Sequence, residues 1–245
     1  MPSQNKTVQN KTQKRLAAPE RRQMIIETAS LLFAKRGLHG VTTKEIAKAC
    51  KISEPVLYQH FESKEHIYQE LQIMCKGQTL YFHQVLKQVP AGSFGLVLTV
   101  FLLCYTVQIC RDPTQKGNRH AEITDILLRL QGFSFLEDGR FAKALVKDCI
   151  GSVMPYLIES YKVAEKAGEI DGDVSMEEDL WITYELIIGS ALFHLTKPGL
   201  IPSLSDSDVL LERTVAYILR GLGMKSGVIK KHHRTAHLMK YIGLN

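Results

Sequence analysis

The chain has 245 residues, 45% of them hydrophobic and 23% charged, so a true core is expected and disorder is excluded as its main state. The net charge of +6 is unevenly placed, with +7 on residues 1–90, −6 on residues 91–221 and +5 on residues 222–245. A basic front suits contact with a polyanion, although an ordinary solvated surface has the same composition.

Residues 1–17, with Lys6, Lys11, Lys14 and Arg15, are polar and basic without an apolar stretch. They read as a disordered arm rather than an export signal or a membrane anchor. Cys50, Cys75, Cys104, Cys110 and Cys149 sit in apolar, helical surroundings with no C-x-x-C pair, which points to reduced thiols in a cytoplasmic protein.

The first helix is read in "APERRQMIIETASLLFAKRG", opened by Pro19 and closed by Lys35, Arg36 and Gly37. Its apolar stripe is Ile25, Ala29, Leu32 and Phe33. A second, short helix follows in "VTTKEIAKAC", where Thr42 and Glu45 make a T-x-x-E capping box. Lys51 and Ile52 form a tight turn, and Ser53 caps a third helix of about two turns with Pro55 in its first turn. From Ser63 a fourth helix runs unbroken to Val89, about 40 Å, long enough to join two domains.

Beyond Gly92 the helices become long and apolar. Residues 95–110 are uniformly apolar apart from Thr99, Thr106 and Gln108. They fall short of the roughly 20 residues a membrane crossing needs, so a helix buried on all sides is expected, with no membrane contact. After a polar loop at 116–120 comes a helix carrying Ile123, Leu127 and Leu130. Another spans about 140–167, bent or split at Pro155. Ser175 and Glu178 set up an S-x-x-E box before a helix over 177–196, and a last helix covers 207–220. Strand alternation and internal repeats are missing, so the fold is all-α with about nine to ten helices.

Three short helices, the second and third joined by a tight turn, describe a helix-turn-helix unit. In the third, Leu57 and Phe61 face inward while Pro55 and Gln59 point away, flanked by Val56 and Tyr58. A solvated face would hold Lys and Glu there. A methyl-bearing side chain, an amide and a phenol instead suit a major groove: Val56 for thymine methyls, Gln59 for adenine edges, Tyr58 for a phosphate. The competing reading packs this face against the protein itself. Thr42, Thr43 and Lys44 stand at one helix start and Lys64 at another, where free N–H groups attract phosphate, and His60 lies at the edge of the reading face.

"TTKEIAKACKIS" followed by "VLYQHFESKE" resembles the DNA-binding signature of the TetR family of bacterial transcriptional regulators. The likeness spans about residues 25–67 and includes Phe33, Gly37, Thr43, Ile46, Ala47, Ser53, Leu57, Tyr58, His60, Phe61 and Lys64. Three residues depart from it: Lys51 stands where the turn usually has glycine, and Glu54 and Pro55 replace residues commonly basic or small. The resemblance implies a homodimer that binds double-stranded DNA and releases it when a small apolar effector enters a C-terminal helical domain. It thus implies a helix-turn-helix domain at 18–65, a linking helix at 63–89, a ligand-binding and dimerisation domain at 66–222 and a basic tail at 223–245.

Candidate effector contacts are Tyr105, Gln108, Phe133, Met154, Trp181, Tyr184 and His194; Gln108 and His194 are the least suited to a silent core. The resemblance places the dimer interface on the last two long helices, where Leu180, Tyr184, Ile187, Ile188 and Ala191 form a stripe wide enough to serve both core and partner. His233 and His237 in the tail lack a third ligand, so neither a metal nor a cofactor is expected, and the tail reads as a solvated basic segment. A Ser-His-Asp set, a glycine-rich phosphate loop and H-E-x-x-H are all missing, so no catalysis is expected. The alternative function is a structural or partner-recruiting DNA-associated protein without an effector.

Overall fold

The computed structural model describes residues 16–111, 117–172, 175–195 and 207–242, without the side chains of residues 72, 74–81, 111 and 207. The arm cations Lys6, Lys11, Lys14 and Arg15, the loop residue Lys116 and the side chain of Cys75 lie outside the described residues.

Twelve α-helices are present among the described residues: α1 (Ala18–Arg36), α2 (Thr43–Ala49), α3 (Glu54–Tyr58), α4 (Lys64–Leu86), α5 (Ser93–Gln108), α6 (Arg119–Leu136), α7 (Arg140–Leu145), α8 (Gly151–Lys166), α9 (Met176–Leu192), α10 (Ser207–Gly221), α11 (Ser226–His232) and α12 (Thr235–Tyr241). The fold is all-α as expected, with more helices than the sequence suggests because the tail folds into two of its own, α11 and α12.

The punctuation of the first helices follows the sequence. Glu20 reaches back to the Ala17 N–H at 3.1 Å. At α2 the capping box is complete: Thr42 Oγ1 accepts from the Glu45 N–H, and Glu45 Oε2 accepts from the Thr42 N–H at 2.9 Å. Ser63 caps α4 by accepting from the His66 N–H. Ser53 has the extended backbone of a cap but makes no side-chain cap bond, and neither does Ser175 at the head of α9. An S-x-x-E spacing permits such a bond; the local hydroxyl rotamer decides it.

The division of the 140–167 segment is not at Pro155. A π-turn at Val146–Ile150 separates α7 from α8, and Pro155 lies inside α8. Pro155 removes the N–H that would bond to the Gly151 carbonyl and needs room for its ring there, and the ladder widens in the turn just before.

Two buried clusters hold the molecule together. One joins Ile25 and Phe33 of α1, Ile46 of α2, Leu57 of α3, Phe61 and Ile67 with Leu127 and Leu130 of α6 and Phe141 of α7. The helix-turn-helix unit is therefore seated on α6 and α7 by a shared core. The other centres on α5, whose Leu96, Val97, Leu98, Val100 and Phe101 are completely buried by α8, α9, α10 and α11. Enclosure on every side explains its uniform apolarity, and no helix among the described residues is long and apolar enough to cross a membrane.

The tail corrects the expectation of a solvated segment. Ile229 of α11 and Leu238 of α12 join the second cluster, Leu238 with no exposure at all. Phe94 at the start of α5 packs against His232, His237 and Tyr241. An antiparallel bridge between Ile170 and Met224 clips the chain after α8 to the chain after α10.

Candidate functional site

The turn between α2 and α3 is a Schellman cap. The Lys51 N–H donates to the Lys48 carbonyl at 3.1 Å and the Ile52 N–H to the Ala47 carbonyl at 3.0 Å. Lys51 takes φ 55, so the missing glycine leaves the left-handed conformation unchanged and a Cβ in a strained place.

This turn brings Thr43, Glu54 and Tyr58 together. The Thr43 hydroxyl donates to Glu54 Oε1 at 2.8 Å, and the Tyr58 hydroxyl donates to Thr43 Oγ1 at 3.4 Å. Thr42 gives its own hydroxyl proton to Glu45 at 2.9 Å. Glu45 also accepts from Arg36, at 2.7 Å, then from the Thr42 backbone and hydroxyl, and these together hold its carboxyl down at about 2. Both threonine hydroxyl protons are therefore used inside the fold.

Lys64 is engaged in the same way. Its ammonium donates to the carbonyls of Leu38 and Val41 at 3.0 and 3.1 Å, tying α4 to the loop before α2 and leaving one N–H for any outside acceptor. Ser53, Pro55, Tyr58 and Gln59 are exposed, Val56 and His60 half-buried, and Lys44, Lys48 and Lys51 are exposed as well. The result is a surface with an amide, a phenol and a held carboxylate at its centre.

The helical body contains a cavity of about 100 Å³ walled by α4 to α9. Of the seven residues expected to line it, only Tyr184 does so. Tyr105 stacks on Phe101, Met154 is core, and Trp181 stands edge-on to Tyr184. Phe133 lies at the α1–α6 contact beside Gly37, Gln108 is buried beside Cys104 and Thr214, and His194 follows the end of α9.

The polar residues of the cavity wall that composition did not single out are Thr106, Thr124 and Gln131. Gln131 Nε2 donates to the Tyr184 hydroxyl at 2.8 Å. Burial pushes the Tyr184 phenol up to about 12, with the Gln131 bond acting against that. Thr124, Leu128 and Gln131 recur at helical spacing along one face of α6, the signal that would have found them.

Of the stripe expected to serve both core and partner, Leu180, Ile187 and Ala191 are buried, and Tyr184 and Ile188 line the cavity. On this side the exposed apolar residues are Ile182 and Leu186 of α9, Phe193 just after it, and Val209 and Tyr217 of α10, beside a surface groove of about 720 Å³. One helix has two apolar faces, and sequence pattern alone does not rank them. His233 is buried while His237 is exposed, and among the described residues no three His, Cys, Asp or Glu side chains group as metal ligands.

Residues 25–71 match the family model described as bacterial regulatory proteins, tetR family. The transcriptional activator FasR of Mycolicibacterium smegmatis is 44% identical over 59 residues, which are 24% of this chain and 27% of FasR. The biofilm operon negative transcriptional regulator IcaR of Staphylococcus aureus is 41% identical over 51 residues, 21% of this chain and 27% of IcaR. Only about a quarter of each of these curated relatives is thus matched. A crystal structure of a bacterial regulatory protein in the tetR family from Rhodococcus RHA1 superposes with a TM-score of 0.59 at 19% identity, covering 84% of this chain and 99% of that one. All these similarities are to proteins described as regulators.

Proposed function

We propose that this chain, which belongs to the TetR family of bacterial regulatory proteins, is a transcriptional repressor that binds a pseudo-palindromic operator as a homodimer and leaves it when a small, largely apolar molecule enters the helical body. The observation that carries the DNA-binding reading is the α2–α3 surface, where Tyr58 and Gln59 are exposed together with Lys44, Lys48 and Lys51. One short helix covers too little duplex for specificity, and two on a two-fold axis suit a palindrome. The apolar face of Ile182, Leu186 and Tyr217 is the surface offered for pairing.

The cavity supports an effector over the alternative of a purely structural DNA-associated protein. Its wall is apolar apart from a few hydroxyls and the Gln131–Tyr184 pair. Since Gln131 donates to Tyr184, the phenol keeps its proton for an acceptor on the effector. Route and pocket share α6: Thr124 and Gln131 line the cavity, Leu130 enters the core beneath α1, and Leu127 does both. An effector that shifts α6 thereby shifts the seat of the helix-turn-helix unit. FasR is an activator and IcaR a negative regulator. Repression is proposed because effector entry disturbs the seat rather than building it.

Genomic fragments retained by the purified protein test the reading. Wild-type protein enriches a small set of fragments, with affinity falling steeply as salt rises, and the Tyr58→Ala/Gln59→Ala double variant loses that enrichment. Equal recovery of the same fragments by both proteins overturns it.

A further inference from the structure

We infer that Glu54 sets this chain's DNA preference, by selecting a cytosine in each half of the binding site through the exocyclic amine on the cytosine edge. This rests on the reading of α3 as the groove-facing helix. Glu54 stands in the first turn of α3, where its Oε1 accepts the Thr43 hydroxyl of α2 at 2.8 Å. The ionised carboxylate only accepts, so the single Thr43 proton points to Glu54 and the Thr43 oxygen accepts from Tyr58 at 3.4 Å. The three groups form one chain across the two helices, with Glu54 at its accepting end.

Thr43 uses one acceptor site of a carboxylate that has about four. Among the described residues no Lys, Arg or His makes an ion pair with Glu54. A held, unneutralised carboxylate beside a duplex is repelled by phosphates and satisfied only by donors. The donors in the major groove are the cytosine N4 and adenine N6 amines. Adenine sets its N7 acceptor beside that amine and opposes a carboxylate, whereas the cytosine ring carries no acceptor next to its own amine on this edge. Guanine and thymine offer acceptors alone. A group that departs from the family pattern thus becomes the one that distinguishes one base pair from the other three.

Selection from randomised duplex DNA with the full chain, followed by sequencing, is the test. Wild-type protein yields a two-fold motif with cytosine favoured about tenfold at one position of each half. Glu54→Ala loses that preference and keeps the rest of the motif. Glu54→Gln moves it to adenine, whose N6 and N7 an amide matches. Thr43→Val, which frees the carboxylate, weakens the cytosine preference. Unchanged Tm values show that the variants are folded. A motif that stays the same in Glu54→Ala and Glu54→Gln overturns this inference alone. If the wild-type protein selects no motif, the reading of α3 fails and this inference with it.

Discussion

Lys51 is the one non-glycine among the described residues with a positive φ, and it is held there by the two hydrogen bonds of the α2 cap. A left-handed conformation costs an L-residue roughly 1–2 kcal/mol, chiefly through the Cβ. Lys51→Gly should therefore raise the stability of the chain by about 1 kcal/mol, seen as a higher urea midpoint with an unchanged slope. No rise would mean that the turn relaxes without cost. Nearby, Glu45 makes a pH-dependent contribution. Its folded carboxyl is held at about 2, chiefly by Arg36, against an ordinary value of 4.5. The ionised form thus supports the α1–α2 contact fully above about pH 4.5, and that support drains away as pH falls toward about 2. The difference in Tm between wild-type protein and Glu45→Gln should be constant above pH 5 and shrink from there to pH 2.5; a gap that stays constant removes Glu45 as its source. Residue types at capping positions were legible in the sequence because a cap is local chemistry. What those hydroxyls do afterwards was not, since the partner of Thr43 lies on another helix.

Among the elements, α4 and α6 reach from the helix-turn-helix unit into the helical body. α4 places Ile67, Tyr68 and Leu71 in one cluster and Phe82 and Leu86 in the other, while α6 touches α1, walls the cavity and carries the Gln131 donor. The contact of α6 with α1 is close at Gly37, which has φ +70; a Cβ there would lie 2.7 Å from Glu137 Oε1 and 3.1 Å from the Phe133 ring. Gly37→Ala meets both an unfavourable backbone and a crowded interface. It should destabilise the chain by about 2 kcal/mol, measured by urea unfolding, and a cost below 0.5 kcal/mol would mean that α6 yields easily. The sequence made the long fourth helix the connector, and α4 does enter both clusters, but the contact of α6 with α1 was hidden. A helix's length is visible in its pattern, but which other helix it packs on is not.

Across the whole molecule, the last two helices are part of the fold. Leu238 is completely buried in the cluster built around α5. Leu238→Ala should cost about 3 kcal/mol through lost burial and a residual cavity, read from the chemical unfolding midpoint. A solvated tail would give a change within about 0.5 kcal/mol. The basic residues of this segment drew the eye away from Ile229, Leu238 and Ile242, whose spacing is too sparse to mark two seven-residue helices.

By itself the sequence determined the all-α class, the capped helices of the N-terminal unit, the inward Leu57 and Phe61 and the outward Gln59. These follow from hydrogen bonds and periodicity within a few residues of each other. Only the tertiary structure decided which face of α9 is buried, which residues wall the cavity, where Lys64 places its ammonium and that Thr43 holds Glu54. Each of those depends on a contact between helices. An apolar or polar residue is written in the chain, while its neighbour is chosen by how the helices pack.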